Sequence, residues 1–261
     1  MSERENVLYR STGLVHPTVE VIQRGGIRYL RFGPGGGWQG AIRTDGVDKP
    51  VFAYQRAFLT LLEGMAAAAI RPELFLSLGV GTGTALRNLA PLFPECHLNG
   101  VELDKTVLDL ALRFFNCPPP PQAEFWVGDG IEYLETEKRF FDLMFVDAYL
   151  KDRVYSRCVQ PQFARLLSER LVGDGIVVLN LITGLPPREG MDRFLKAAKE
   201  HFASVLLLPV SSSPAVMEQN VLGVLTNRMD ITELWIQQIR RSPTLSFWQR
   251  TWWPHRLIHF E

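Results

Sequence analysis

The sequence predicts an α/β protein in which a doubly wound, mostly parallel β-sheet follows a small N-terminal antiparallel β-sheet. From Val51 onward, short apolar runs alternate with segments of helical period, as in a parallel sheet that has helices on both faces. Earlier in the chain, two alternating runs are joined by Arg24-Gly25-Gly26, which is typical of a hairpin. The 261 residues are 46% hydrophobic and 21% charged, so a sizeable core can form.

Residues 1–50 are predicted to form the antiparallel region. Alternating runs at 19–23 and 27–32 flank the glycine turn, and the glycine-rich segment 33–37 leads to a third run at 38–43. The period then changes to threes and fours, which predicts a helix at the start of a main domain spanning 51–241. The core stripe of that helix consists of Phe58, Leu61, Leu62, Met65 and Ala69.

Within the main domain, strands and helices are predicted to alternate, and residues 242–261 form an aromatic-rich C-terminal tail. The strands are expected at 74–78, 97–103, 124–127, 141–146, 175–181, 205–208 and 221–226. The helices are expected at 84–93, 104–115, 131–138, 161–171, 188–202 and 231–239. Ligands of such sheets bind outside the carboxyl ends of the strands, so the residues that follow positions 78, 103, 127 and 146 are the candidates for a site.

Charge and composition exclude several classes of protein. The 28 basic and 28 acidic residues balance, so no broad basic surface for nucleic acid or an anionic membrane is expected. The N-terminal residues do not read as a signal peptide, and no apolar run approaches the roughly 18–20 residues that span a bilayer. The three Cys and five His show no ligand spacing, so no metal is predicted. We therefore expect a cytoplasmic protein.

A glycine-rich turn follows the first strand of the main domain, with the sequence Gly79-Val80-Gly81-Thr82-Gly83-Thr84. Its glycines allow the backbone to turn sharply and to approach a ligand at the start of the next helix. The third glycine comes one place earlier than in a dinucleotide fingerprint, which favours a nucleoside over a pyrophosphate. A tight turn with no ligand is the alternative, and a nicotinamide dehydrogenase is a more distant one.

The next two strands end in acidic residues. Glu102, nineteen residues beyond Gly83, can accept hydrogen bonds from both hydroxyls of a ribose. Asp129, between Gly128 and Gly130, can accept from the amine of adenine, while the glycines leave room for the ring. Alternatively, Glu102 is a solvated side chain and Asp129 only a helix cap, as Asp104 is expected to be. Together with the glycine turn, these residues predict an adenosine pocket.

The fourth strand ends at Asp147, in the crevice where the reactive end of a bound nucleoside is expected. A carboxylate there can orient an incoming nucleophile and take its proton as a general base. A turn or cap aspartate is the alternative.

At these residues the chain resembles the spermidine synthase family of polyamine aminopropyltransferases, which are built on the Rossmann-like class I S-adenosylmethionine-dependent methyltransferase fold. The resemblance extends over residues 19–226 and includes the pairs Trp38-Gln39 and Tyr54-Gln55. It implies that Gln39, Glu102 and Asp129 hold the nucleoside. It further implies that Tyr54 and Tyr149 line the site of a small-molecule acceptor, that Asp147 is the catalytic base, and that the protein is a homodimer formed through its N-terminal sheet. The implied co-substrate is S-adenosylmethionine or decarboxylated S-adenosylmethionine.

The chain departs from that family at positions that hold amines. Thr82 and Leu150 stand where the synthases usually have aspartates, and the segment 211–217 lacks a tyrosine of the polyamine pocket. The segment 149–153 is net basic because Lys151 and Arg153 outweigh Asp152. Since a dication needs several carboxylates to offset its desolvation, these departures argue against putrescine as the acceptor. Aminopropyl transfer is the leading hypothesis, and a small-molecule methyltransferase and a non-catalytic nucleoside-binding protein are the alternatives.

Overall fold

A computed structural model of the chain describes residues 5–13, 15–46, 49–150, 153–154 and 156–261. Its N-terminal part is an antiparallel sheet of the order β1-β2-β3-β4. The strands are β1 (Asn6–Ser11), β2 (Val19–Arg24), β3 (Ile27–Arg31) and β4 (Trp38–Arg43). The sequence predicted the last three but missed β1, which is a largely exposed edge strand and therefore lacks the alternation of buried and exposed residues that marks a strand.

The main sheet confirms the predicted α/β fold, with strand order β14-β12-β13-β11-β8-β5-β6-β7. Strands β11, β8, β5, β6 and β7 are parallel, whereas β13 runs antiparallel to both β11 and β12. Only nine residues join β12 to β13, too short a connection for a parallel crossover. The strands are β5 (Leu74–Leu78), β6 (His97–Glu102), β7 (Ala123–Val127), β8 (Phe141–Val146), β9 (Tyr149–Leu150), β10 (Arg153–Val154), β11 (Leu171–Thr183), β12 (Ser204–Pro209), β13 (Gln219–Thr226) and β14 (Ile258–His259); β9 and β10 form a separate two-stranded ribbon.

Helices cover both faces of the main sheet. One face buries Phe58, Phe75 and Trp235, and the other buries Phe163 and Phe194, which gives the three layers expected of this fold. The α-helices are α1 (Ala53–Ala67), α2 (Thr84–Leu89), α3 (Lys105–Phe114), α4 (Gly130–Thr136), α5 (Pro161–Glu169), α6 (Glu189–His201), α7 (Ile231–Arg241) and α8 (Phe247–Arg256).

Several predicted element ends were wrong by two to four residues, and β11 begins at Leu171 instead of 175. Helix α5 stops at Glu169, because Leu171 already belongs to β11 and pairs with Phe141 of β8. Helix α2 stops at Leu89 instead of continuing to residue 93. In the C-terminal segment, α8 begins with a capping box between Ser246 and Gln249, and β14 then pairs with β12 at the edge of the main sheet.

Candidate active site

The glycine turn between β5 and α2 lies against the loop that follows β8. Gly79 and Gly83 have φ values of 87° and 69°, a region that favours glycine. A Cβ on Gly79 would collide with the main-chain carbonyl of Asp147, and one on Gly83 would collide with Cys117. The close approach of the first and fourth strand ends therefore depends on glycine at position 79.

The strand ends meet at a mostly apolar cavity, here called the nucleoside cavity. Of the residues predicted to bind the co-substrate, six line it: Gln39, Gly79, Gly81, Glu102, Asp129 and Gly130. Asp147 lines it as well. Thr82 and Gly83 do not; Thr82 is buried, contacts the backbone of Gly40 in β4 and lies 3.0 Å from the hydroxyl of Thr84. In this structure Thr82 thus joins the N-terminal sheet to the glycine turn.

Glu102, at the end of β6, stabilises the glycine turn through hydrogen bonds. Its Oε2 accepts hydrogen bonds from the backbone amides of Val80 (3.1 Å) and Gly81 (2.9 Å), and its Oε1 accepts from that of Asp104 (3.2 Å). Burial raises the pKa of this carboxyl despite these three bonds. Because a carboxylate has about four acceptor positions, Glu102 keeps capacity to accept from a ligand hydroxyl in the cavity.

Asp129 is both a helix cap and a cavity residue. Its Oδ1 accepts from the backbone amides of Ile131 (2.7 Å) and Glu132 (3.3 Å) at the start of α4. Its Oδ2 lies 3.3 Å from Nη1 of Arg157, which is half-exposed. The cap expected from the sequence is therefore present, and the same carboxylate also faces the cavity.

Asp147 is held by two hydrogen bonds from different elements. The hydroxyl of Tyr54 in α1 donates to its Oδ2 at 2.9 Å, and Nδ2 of Asn180 in β11 donates to its Oδ1 at 2.8 Å. Burial raises the pKa of Asp147 to about 6, while these two donors act in the opposite direction. The carboxylate is thus oriented, and its raised pKa suits a general base that operates near neutral pH.

A second and larger cavity, of about 870 Å³, lies on the other side of Asp147; here it is called the acceptor cavity. Gln39 and Asp147 line both cavities, so the two meet at the carboxylate. Tyr54 and Asn180 line the acceptor cavity, and Asn220 donates to Oδ1 of Asn180 at 2.9 Å. The side chain of Tyr149, predicted to contact the acceptor, lies outside the described residues.

The N-terminal sheet contributes residues that the sequence did not single out. His16 and Phe32 stack with ring centroids 3.5 Å apart and line the nucleoside cavity. The buried Asp104 accepts from the backbone amides of Val15 (3.0 Å) and His16 (3.3 Å), and it also caps α3 through Thr106 (2.9 Å). Asp104, expected only as a cap, therefore also attaches the N-terminal region to the site.

Asn180 and Asn220 were missed too, although one signal was available. Asn180 interrupts the apolar run of β11, whereas Asn220 lies at the start of β13 next to Gln219 and gave no such signal. No sequence signal connects His16 with Asp104, which is 88 positions away.

Two features are absent from the described residues, 5–261 apart from the gaps given above. No cluster of three or more His, Cys, Asp or Glu is arranged to hold a metal ion. No described helix combines the length and the apolar character needed to cross a membrane.

Known proteins resemble this chain in sequence and in fold. No protein-family model matches the chain. A probable polyamine aminopropyl transferase of Bifidobacterium longum is 31% identical over 106 residues, which cover 41% of this chain but only 23% of that longer protein. A polyamine aminopropyltransferase of Neisseria meningitidis is 26% identical over 217 residues, covering 78% of this chain and 80% of that protein.

Solved structures share the fold at low sequence identity. A probable spermidine synthase from Corynebacterium glutamicum has a TM-score of 0.76 at 16% identity, covering 91% of this chain and 88% of that one. Human methyltransferase-like protein 13, solved in complex with SAH, has a TM-score of 0.55 at 16% identity, covering 74% of this chain and 92% of that one.

The fold and the cavity at its strand ends are those of a class I methyltransferase-like protein, and its sequence relatives are transferases. Within that class the chain is spermidine synthase-like and related to the polyamine aminopropyltransferases, which confirms the resemblance seen in the sequence.

Proposed function

We propose that the chain transfers an aminopropyl group from decarboxylated S-adenosylmethionine to an amine acceptor, with Asp147 as the base. The observation that carries this proposal is the position of Asp147 at the junction of two cavities. One cavity has the carboxylates suited to a nucleoside, and the other has room for a second substrate. The similarity to a polyamine aminopropyltransferase, over 78% of this chain and 80% of that protein, supports the same reaction.

The residues can perform three tasks in this reaction. Glu102, Asp129 and Gln39 hold the nucleoside of the donor, whose sulfonium makes the adjacent carbon open to attack. The acceptor amine approaches from the acceptor cavity, and Asp147, kept in one orientation by Tyr54 and Asn180, takes its proton. A carbon–nitrogen bond forms, the carbon–sulfur bond breaks, and methylthioadenosine leaves with the electron pair on sulfur.

Methyl transfer from S-adenosylmethionine is the second candidate. It is favoured by Thr82, which stands where the synthases usually have an aspartate, and by the methyltransferase that shares the fold. The two reactions use the same nucleoside cavity and differ in the group transferred and in the product that leaves.

Product analysis with each donor tests the proposal. The purified protein is incubated with decarboxylated S-adenosylmethionine or S-adenosylmethionine and a panel of primary amines, and the nucleoside product is measured by chromatography. We expect methylthioadenosine, formed from the decarboxylated donor only. S-adenosylhomocysteine as the product would make the protein a methyltransferase, and tight donor binding without turnover on any amine would make it a nucleoside-binding protein.

The pH dependence of the reaction gives a separate prediction. Since Asp147 must be ionised to take a proton, kcat/KM should fall as the pH drops through about 6. Asn180→Ala removes a donor that favours the ionised form, so the pKa should rise and the acidic limb should move upward by about one pH unit. Asn227→Ala serves as the control, because Asn227 is exposed and bonds to the backbone of Ala203 and Gly173. If the acidic limb does not move in Asn180→Ala, that limb does not report the ionisation of Asp147.

Three further expectations stay predictions: a homodimer formed through the N-terminal sheet, a cytoplasmic location, and the absence of a nucleic-acid partner. The first is supported by the exposed side chains of Val7 and Leu8 on the edge strand β1. The division of the chain at residues 50 and 241 and the absence of a metal also stay predictions.

A further inference from the structure

The charges that line the acceptor cavity are unusual for a site that binds a diamine. Among the described residues, Lys49 and Arg56 line it together with a single carboxylate, that of Asp147. Each further ammonium group moved from water into a cavity needs a compensating anion or a set of acceptors. A diammonium acceptor would have to share Asp147 between its two ends, in a cavity that already has two cations.

Asp147 is also held in place at the proposed reaction centre. One of its oxygens accepts from Tyr54 and the other from Asn180, so its position is fixed at the junction with the nucleoside cavity. It can receive the proton of the attacking amine there. It cannot at the same time neutralise a charge at the far end of an extended acceptor.

Arg56 and Lys49 have no carboxylate partner among the described residues. Nη1 of Arg56 donates to the backbone carbonyls of Pro50 (3.1 Å) and Val51 (2.6 Å), and its Nε is buried without a hydrogen-bond partner. Burial lowers the pKa of this guanidinium, as expected where no anion compensates the charge. Lys49 is exposed at the same cavity. An anionic ligand group would compensate the buried charge of Arg56 and could pair with the exposed ammonium of Lys49.

We propose that the acceptor is an amino carboxylate, with its amine directed to Asp147 and its carboxylate to Lys49 and Arg56. The indole and phenyl rings of Trp38, Phe52 and Trp248 line the same cavity and provide an apolar wall for the methylene chain between the two groups. This inference rests on the proposed function, and it changes the class of acceptor from a diamine to an amine that has an anion at its other end.

Three amines with the same four-carbon chain test it: putrescine, butylamine and 4-aminobutanoate. They differ only in the far end, which is cationic, neutral or anionic. With decarboxylated S-adenosylmethionine as donor, we expect kcat/KM for methylthioadenosine release to be highest with 4-aminobutanoate and at least tenfold lower with putrescine. Equal values for the three amines, or the highest value with putrescine, would overturn the inference and leave the proposed function standing.

A substitution at Lys49 makes the test specific. Lys49→Gln should lower kcat/KM for 4-aminobutanoate about tenfold and change that for butylamine less than twofold, whereas Lys49→Glu should raise that for putrescine. Lys105→Gln is the matched control, because Lys105 is an exposed lysine of α3 that pairs with Asp109 outside the acceptor cavity. Equal losses for 4-aminobutanoate and butylamine would assign Lys49 a purely structural role and overturn the inference.

If none of the three amines is consumed, binding still decides the inference, and the proposed function fails only if the whole panel of primary amines is inactive. The protein is then loaded with methylthioadenosine and titrated with each amine by calorimetry. Binding of 4-aminobutanoate that Lys49→Gln weakens would support the anionic subsite. Preferential binding of putrescine, or no binding of 4-aminobutanoate, would overturn it.

Discussion

Replacement of Asp147 by asparagine should lower kcat by about 10²- to 10⁴-fold, which is the usual contribution of a positioned general base. Asparagine has nearly the same shape, and its Oδ1 can still accept from Asn180, so the geometry at the junction should persist. The amide cannot take a proton from the attacking amine. Turnover is measured as methylthioadenosine release, and the affinity for methylthioadenosine is measured by calorimetry.

The stability of Asp147→Asn distinguishes a loss of catalysis from a loss of folding. The pKa of Asp147 is raised by burial, from 3.8 to about 6, so ionising this group in the folded protein is unfavourable relative to the unfolded chain. The stability linked to this group is fully present below the unfolded pKa and is lost as the pH rises through about 6. Asp147→Asn should therefore raise Tm at pH 8, with a smaller difference at pH 5.

Asp109→Asn, on the exposed face of α3, is the matched control and should leave kcat and the Tm at pH 8 nearly unchanged. If Asp147→Asn retained more than a tenth of the wild-type kcat, Asp147 would have an orienting role and another group would take the proton.

The strand-end residues were predictable from the sequence because their position follows from chain topology. Glu102, Asp129 and Asp147 each come directly after an apolar run, and parallel strands bring such positions to one edge of a sheet. The glycine turn was readable for a similar reason, since its backbone conformation restricts the residue type. These features are local in sequence, and the order of the strands is sufficient to predict that they lie together.

The other parts of the site depend on packing between distant segments. Phe32 belongs to the N-terminal sheet region, and Thr82 faces Gly40 of β4 and not the cavity, because of how that sheet lies on the glycine turn. Asn220 reaches Asn180 because β13 inserts antiparallel beside β11, an orientation that the strand pattern did not specify. The sequence therefore predicted the strand-end residues that line the nucleoside cavity and missed most of the residues that line the acceptor cavity.

Replacement of Glu102 by alanine should weaken the binding of methylthioadenosine about 10- to 100-fold. A hydrogen bond to a charged group contributes about 1.5–3 kcal/mol, and under the proposed function Glu102 accepts from the ribose in addition to its three bonds from backbone amides. Losing the carboxylate leaves the amides of Val80, Gly81 and Asp104 without this acceptor, so the turn should also become less stable. Calorimetric titration measures the affinity, and thermal unfolding measures the accompanying loss of stability.

A second ligand separates ribose recognition from support of the glycine turn. The same titration with 2′,3′-dideoxyadenosine, compared with adenosine, measures what the two ribose hydroxyls contribute in the wild type and in Glu102→Ala. If Glu102 accepts from the ribose, the wild type should prefer adenosine by at least tenfold and the variant should lose that preference. Glu135→Ala, at an exposed position of α4, controls for the loss of an acidic side chain and should keep the preference. A preference that survives in Glu102→Ala would limit Glu102 to holding the turn, because a residue that does not touch the ribose cannot distinguish ligands that differ only there.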